Sequence, residues 1–199
     1  MNNVYLDVAK LIAKKSKDKE TKVGACIVDS RGAIVSTGYN GPPRSADDSK
    51  VPLTRPDKYM WMIHAETNAI LFALAARGEY MLSGCSLYVS GVVCSKCMLL
   101  AAHVGITEIN CLDRSPVMCD EEDLRKVTTI GDLCQVAVHL YTDTGEYVRT
   151  LGHHWLSSAQ TPSAQEHTAS PVICVHGYSA HLCRQCAFDR QVRQEPRQD

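Results

Sequence analysis

With 199 residues, 45% of them hydrophobic, the chain is long enough for one well-packed domain with an appendage. A formal net charge of −1 gives no global attraction to nucleic acid, and the longest apolar run, Ala69 to Ala76, is far too short to span a bilayer. Ten cysteines would suit a disulfide scaffold in a small secreted protein, but the N-terminal segment lacks the apolar core of a signal peptide; the expectation is a reducing cytoplasm, with cysteines used for metal and packing.

The first expected element is an amphipathic helix with Val4, Val8, Leu11 and Ile12 on one face. Two strand patterns follow, Val23 to Val28 and Ala33 to Tyr39, joined at Asp29-Ser30-Arg31-Gly32, which suits a hairpin turn. Asn40 to Asp57 reads as loop. A helix pattern over 64–77 stops at Gly78, a strand runs from Ser86 to Val92, and another helix opens at Cys94 and stops at Gly105. Then come a strand at Ile106 to Leu112, a short helix with the sequence DEEDLRK, and a last strand at Leu133 to Tyr141. Strands alternating with helices predict an α/β domain, a three-layer α-β-α fold with a central mixed sheet of about five strands.

Composition shifts near the end of that pattern. The expected organisation is a domain over 1–151, a polar linker over 152–170 and a Cys/His-rich tail over 171–199. In the tail, Cys174, His176, His181, Cys183 and Cys186 have spacings that fit a second, structural zinc, or a segment merely rich in these residues.

The chemistry concentrates in His64-Ala65-Glu66 and, far downstream, Cys94-Ser95-Lys96-Cys97. One histidine and two cysteines fill three positions of a tetrahedral zinc and leave the fourth open for water, the layout of a catalytic Zn2+ site. His-x-Glu followed by Cys-x-x-Cys is the pattern of zinc-dependent nucleobase deaminases. The spacing fits: residues 64–77 advance about 21 Å as a helix. Residues 86–92 return about 23 Å as a strand, setting Cys94 and Cys97 beside His64. Free amides and the dipole at that helix start favour the thiolates zinc needs. Glu66 stands where it would move protons at the water. A structural zinc with Glu66 or another cysteine as fourth ligand, or a redox Cys-x-x-Cys, uses the same residues.

Wider matches surround the zinc motif: Lys15-Ser16-Lys17-Asp18, Val23-Gly24-Ala25-Cys26-Ile27-Val28, Gly38-Tyr39-Asn40-Gly41, Asp47-Asp48, Lys58-Tyr59, and His64-Ala65-Glu66-Thr67-Asn68-Ala69-Ile70. With Gly105-Ile106 beyond Cys97, this order resembles the deoxycytidylate (dCMP) deaminase family of the cytidine-deaminase-like superfamily. The resemblance implies zinc-dependent hydrolysis of dCMP to dUMP and ammonia, supplying dUMP for thymidylate synthesis. It also implies activation by dCTP with Mg2+, inhibition by dTTP, and a homo-oligomer, often a hexamer. Neither nucleic acid nor membrane is an expected partner.

Carried onto this sequence, the resemblance makes His64, Cys94 and Cys97 the zinc ligands and Glu66 the proton carrier. The amide of Ala65 would meet the pyrimidine carbonyl, and Asn40 the sugar hydroxyl, although asparagine also suits a turn there. Lys15 and Ser16 are candidates for the 5′-phosphate. Gly38, Tyr39, Asn40 and Gly41 with Asp47 and Asp48 resemble an effector loop. Two departures stand out: Val93 where the family commonly has proline, and Lys15 where it commonly has arginine, a fork that lysine lacks. The small segment Ser90-Gly91-Val92-Val93 leaves room for a 5-methyl- or 5-hydroxymethyl-dCMP unless Trp61 or Met62 fills it. The alternatives are therefore a modified-dCMP or dCTP deaminase, or a non-catalytic zinc module that only binds nucleotides. A nucleic-acid editor would want a basic groove, against which the near-neutral charge argues.

Overall fold

The computed structural model describes residues 4–47, 49–114 and 119–152, within the first of two compact units, Met1–Ser158. The Cys/His-rich tail, with Cys174, His176, His181, Cys183 and Cys186, lies outside the described residues, as do Asp48 and the linker beyond Gly152. In chain order the elements are α1 (Val4–Ala13), β1 (Gly24–Val28), β2 (Ile34–Tyr39), a 3-10 turn (Asp57–Met60), α2 (Ala65–Arg77), β3 (Ser86–Val89) and α3 (Ser95–His103). They continue with β4 (Glu108–Leu112), α4 (Glu121–Cys134), β5 (Ala137–Tyr141) and β6 (Tyr147–Leu151). Among the described residues no helix is long and apolar enough to cross a membrane.

The strands form one mixed sheet in the order β2-β1-β3-β4-β5-β6, parallel through β3, β4 and β5 and antiparallel elsewhere. The Asp29 carboxylate closes the first hairpin by accepting from the amides of Arg31 and Ala33. Register settles the layers. Gly24 pairs with Tyr39 and Ala25 with Gly38, so Gly24 and Gly38 point to opposite faces of the sheet. A Cβ on Gly24 would lie 2.1 Å from the Ala9 carbonyl of α1, and one on Gly38 would lie 2.4 Å from the Ala65 carbonyl of α2. Glycine at both places lets a helix backbone approach each face closely. The main core fills the side of α2, α3 and α4, where Ile27, Leu87, Ile109 and Leu140 meet Ala69, Met98 and Val127. Burying each large aliphatic chain there contributes about 1.5–3 kcal/mol.

Two expectations need correction, and the expected sheet of about five strands gains one at its edge. The buried residues of α1 are Leu6, Ala9 and Ala13, while Val4 and Leu11 are exposed. Contact with the sheet at Gly24 demands small side chains, and a reading by hydrophobic size picked the wrong stripe. The helix beginning at DEEDLRK is twice as long as expected: its Thr128 and Thr129 hydroxyls bond back to the carbonyls of Leu124 and Arg125, and it ends only at the left-handed Gln135. Leu133 therefore belongs to α4 and is exposed, and β5 starts at Ala137. A sixth strand, β6, covers the edge of β5; its outward-facing Tyr147, Val148 and Arg149 gave no apolar alternation to read.

Candidate active site

His64 and Cys94 occupy equivalent places: each is the residue before a helix, with extended backbone and a side chain that makes no capping bond to that helix. That frees both side chains to point at a common centre. Cys97 joins them from the first turn of α3. Nδ1 of His64 lies 3.5 Å from Cys94 Sγ and 3.4 Å from Cys97 Sγ. A tetrahedral zinc with ordinary Zn–N and Zn–S bonds requires N···S separations of about 3.5 Å. The three donors thus fit such an ion as they stand, and among the described residues they are the one cluster of His, Cys, Asp and Glu with this geometry. Among the described residues no carboxylate completes the set, which suits a small ligand in the fourth position.

The protonation pattern suits metal capture. The Cys94 thiol is pulled down to about 4, chiefly by the hydrogen bond from Cys97 and against the effect of burial, with His64 adding to it. His64 is raised to about 9, chiefly by its bond to Cys94, and Cys97 is pushed up by its role as donor and by burial. This direction favours the thiolate form of Cys94, and binding a cation would release protons from the other ligand groups.

Glu66, in the first turn of α2, is 3% exposed. Burial pushes its carboxyl above the usual range, and the pull of His64 only partly offsets this. A buried carboxyl with a raised proton affinity, beside the His64, Cys94 and Cys97 donors, is suited to carry a proton. Glu66, Ala65, His64 and Cys94 open onto a cavity of about 210 Å³.

The rest of the cavity wall comes from segments far apart in sequence. Asn40 accepts from the Val23 amide at 2.8 Å and donates to the Thr21 carbonyl at 2.8 Å and to Asp18 at 3.3 Å. It thereby fastens the end of β2 to the segment before β1, and its one remaining lone pair is what it can offer a ligand. Asp18 in turn receives Lys58 Nζ on both oxygens at 2.8 Å, as well as the amides of Glu20 and Thr21. Both members of this ion pair are 2% exposed. Burial alone would raise the Asp18 carboxyl, but the bonds from Lys58, Thr21 and Glu20 outweigh it and leave it below its ordinary value.

The two phosphate candidates from the sequence are placed differently. Ser16 is buried, and its hydroxyl proton goes to the Asn40 carbonyl at 2.7 Å. Lys15 is exposed, and neither residue is on the cavity wall. The side-chain cations that do line it, histidine aside, are Arg55 and Lys58. Of the effector-loop candidates, Gly38 is explained by the approach of α2, whereas Gly41 forms a backbone bridge to Ile63 and would have open space for a side chain. The exposed Tyr39 accepts from Asn68 through its carbonyl, and Asp47 is held in a local turn with Ser49 and Lys50.

Sequence reasoning missed one further residue. Asp123, near the start of α4, accepts from the Ser95 amide at 3.1 Å and from the Ser95 hydroxyl. Cys94 cannot cap α3 because its sulfur is turned to the metal position, so Asp123 caps that helix from outside. Asp120, which caps α4 by accepting from the Asp123 amide at 2.7 Å, was the only local sign of it.

Comparison with known proteins points the same way. Residues 1–113 match the family model of the cytidine and deoxycytidylate deaminase zinc-binding region. A probable deoxycytidylate deaminase of Drosophila melanogaster is 39% identical over 119 residues, covering 54% of this chain and 57% of the relative. The human deoxycytidylate deaminase is 39% identical over 111 residues, covering 53% and 60% respectively. The match therefore spans somewhat over half the length of these curated relatives. An uncharacterized deaminase of Aliivibrio fischeri is 32% identical over 147 residues, 74% of this chain and 90% of its own. Among solved structures, the dCMP deaminase of cyanophage S-TIM5 in complex with dCMP and dUMP superposes with a TM-score of 0.57 at 23% identity. It covers 69% of this chain and 93% of that one, a likeness of fold.

Proposed function

The chain belongs to the cytidine and deoxycytidylate deaminase zinc-binding family, and on that premise we propose that it hydrolyses dCMP to dUMP and ammonia. The observation that carries the reading is the convergence of His64 Nδ1 and the Cys94 and Cys97 sulfurs, at 3.4–3.5 Å, beside the buried Glu66 on one cavity. The 39% identity to deoxycytidylate deaminases supports dCMP over other cytosine compounds.

In this reading His64, Cys94 and Cys97 hold Zn2+, which when bound acidifies a water toward a pKa of about 7. Glu66 does the proton work. It takes a proton as the water oxygen adds to C4 of the cytosine, and passes one to ring N3. It then takes the proton of the new C4 hydroxyl and delivers it to the amine as the C4–N bond breaks and the C4 carbonyl forms, so that water is consumed and ammonia leaves. The amide of Ala65, one of the unpaired donors at the start of α2, meets the pyrimidine carbonyl. The free lone pair of Asn40 receives the sugar hydroxyl. Activation by dCTP with Mg2+, inhibition by dTTP, a homo-oligomer, and a cytoplasmic role in supplying dUMP for thymidylate synthesis complete the proposal.

The deciding assay is ammonia release by zinc-replete protein given dCMP, with and without dCTP and Mg2+, in parallel with 5-methyl-dCMP and dCTP. Turnover of dCMP is expected. Preference for 5-methyl-dCMP would move the assignment to modified nucleotides, and zinc binding without turnover of any cytosine nucleotide would leave only a nucleotide-binding module.

A further inference from the structure

Arg55 is exposed at 48% of its side chain, yet its guanidinium is held in one place on the cavity wall. Its Nε donates to the Tyr59 hydroxyl at 2.6 Å, and Nη2 donates to the Thr21 hydroxyl at 3.0 Å. These bonds orient more than the arginine. Each hydroxyl oxygen accepts from the arginine and so has its own proton left to offer a further acceptor. Nη1 lies 4.0 Å from the Glu20 carboxylate, beyond hydrogen-bond reach, so its protons also remain available. Guanidinium N–H groups and two hydroxyls thus present donors side by side on the wall of the cavity that Glu66 opens onto.

The adjacent charges are arranged to tolerate an anion there. Lys58 spends its three protons on Asp18, through both oxygens at 2.8 Å, and on Glu20 at 3.1 Å. Glu20 also accepts from the Arg55 amide at 3.0 Å. Lys58 therefore offsets one of the two carboxylate charges that would repel an anion and Arg55 the other, while Lys58 is not itself a free donor. Arginine forks match the geometry of phosphate oxygens, which a compact ammonium does not.

We propose that Arg55, with the Thr21 and Tyr59 hydroxyls, is the subsite that takes the 5′-phosphate monoester of the substrate, in place of Lys15 and Ser16. The inference rests on the dCMP reading and adds the residues that separate a nucleotide from a nucleoside. In this assignment Arg55 meets the phosphate and not the reacting base, so its contribution is to binding rather than to the chemical step.

The test is steady-state deamination of dCMP and of deoxycytidine by wild type, Arg55→Ala, Arg55→Lys and Tyr59→Phe, all zinc-loaded and with matching circular dichroism. For Arg55→Ala the expected result is a KM for dCMP raised about 10- to 100-fold with kcat within about threefold, the loss expected for a hydrogen bond to a charged group. Turnover of deoxycytidine should not change, so the preference for the nucleotide collapses. Arg55→Lys should fall between, and Tyr59→Phe should lose a few-fold in the same direction. Equal losses on both substrates, or an unchanged KM for dCMP, overturns the subsite. So does an unchanged KM accompanied by loss of dCTP activation, which would assign Arg55 to an effector's phosphates. Calorimetry with dUMP and deoxyuridine reads the subsite without turnover. Wild type should bind dUMP at least tenfold more tightly and Arg55→Ala should not; equal wild-type affinities reject the subsite even where dCMP is not deaminated.

Discussion

At the metal end of the cavity every chemical group comes from two helix starts: His64 and Glu66 at the head of α2, Cys94 and Cys97 at the head of α3. The remaining wall draws on Asp18 and Thr21 before β1, Asn40 after β2, and Arg55, Lys58 and Tyr59 around the 3-10 turn, tied by a buried ion pair. The first end is held by secondary structure, since a helix start fixes the directions of its first side chains and supplies favourable amides. The second is held by hydrogen bonds between segments with no regular structure of their own. Substitutions should therefore separate them: chemistry and metal retention at one end, ligand affinity and fold stability at the other.

The largest effect belongs to the metal end. Glu66→Gln should lower kcat about 10²- to 10⁴-fold, the range for loss of a positioned proton carrier. It should keep one zinc and be at least as resistant to urea as wild type, because a neutral amide replaces a carboxyl whose burial opposes its charge. Turnover within tenfold of wild type would take Glu66 out of the chemistry. Next in size is Lys58→Met, on the opposite wall. It leaves the Asp18 carboxylate buried and unpaired, a loss of about 3–5 kcal/mol in urea unfolding, and adding Asp18→Asn should restore most of it. Zinc content should stay at wild-type level in both variants. Loss of zinc on Lys58→Met would mean that the two ends are one cooperative unit after all.

The same contrast explains what could be read without coordinates. The convergence of His64, Cys94 and Cys97 was legible because its spacing obeys helix rise and strand rise, two constants of the backbone. The alternation of helix and strand was legible for the same reason, and the layering followed. The exposed stripe of α1 was misjudged because small residues mark a close helix–sheet contact, and Ala9 and Ala13 carry little hydrophobic signal of their own. The buried face of α4 was hidden behind threonines and a glycine, poor helix formers whose deficit tertiary packing overrides. Ser16 looked like a phosphate donor because a serine beside lysines is chemically suitable; only the fold shows its proton already committed to Asn40. Arg55 and Lys58 stand three apart and look alike in sequence, yet Lys58 spends all its protons on carboxylates while Arg55 keeps those of Nη1.

Asp123 tests how self-sufficient the metal end is. Its carboxylate supplies the cap that Cys94 gives up by turning toward His64 and Cys97, so the cysteine pair is braced by a residue from the next helix. Asp123→Ala should cost about 1 kcal/mol of stability as a lost helix cap. It should weaken zinc binding about tenfold or more in competition with a chelator, the lower end of what outer hydrogen-bond partners of metal ligands contribute. Asp123→Asn keeps an oxygen that can accept from the Ser95 amide, and should stay within about threefold of wild type if alignment of the helix start is what counts. Cobalt substitution separates alignment from bulk stability: a displaced thiolate shifts the sulfur-to-metal absorption of the Asp123→Ala protein, whereas general loosening lowers metal occupancy without moving the band. Zinc affinity unchanged in Asp123→Ala would show that the two helix starts hold the metal geometry unaided, and would sharpen the contrast with the wall around Lys58.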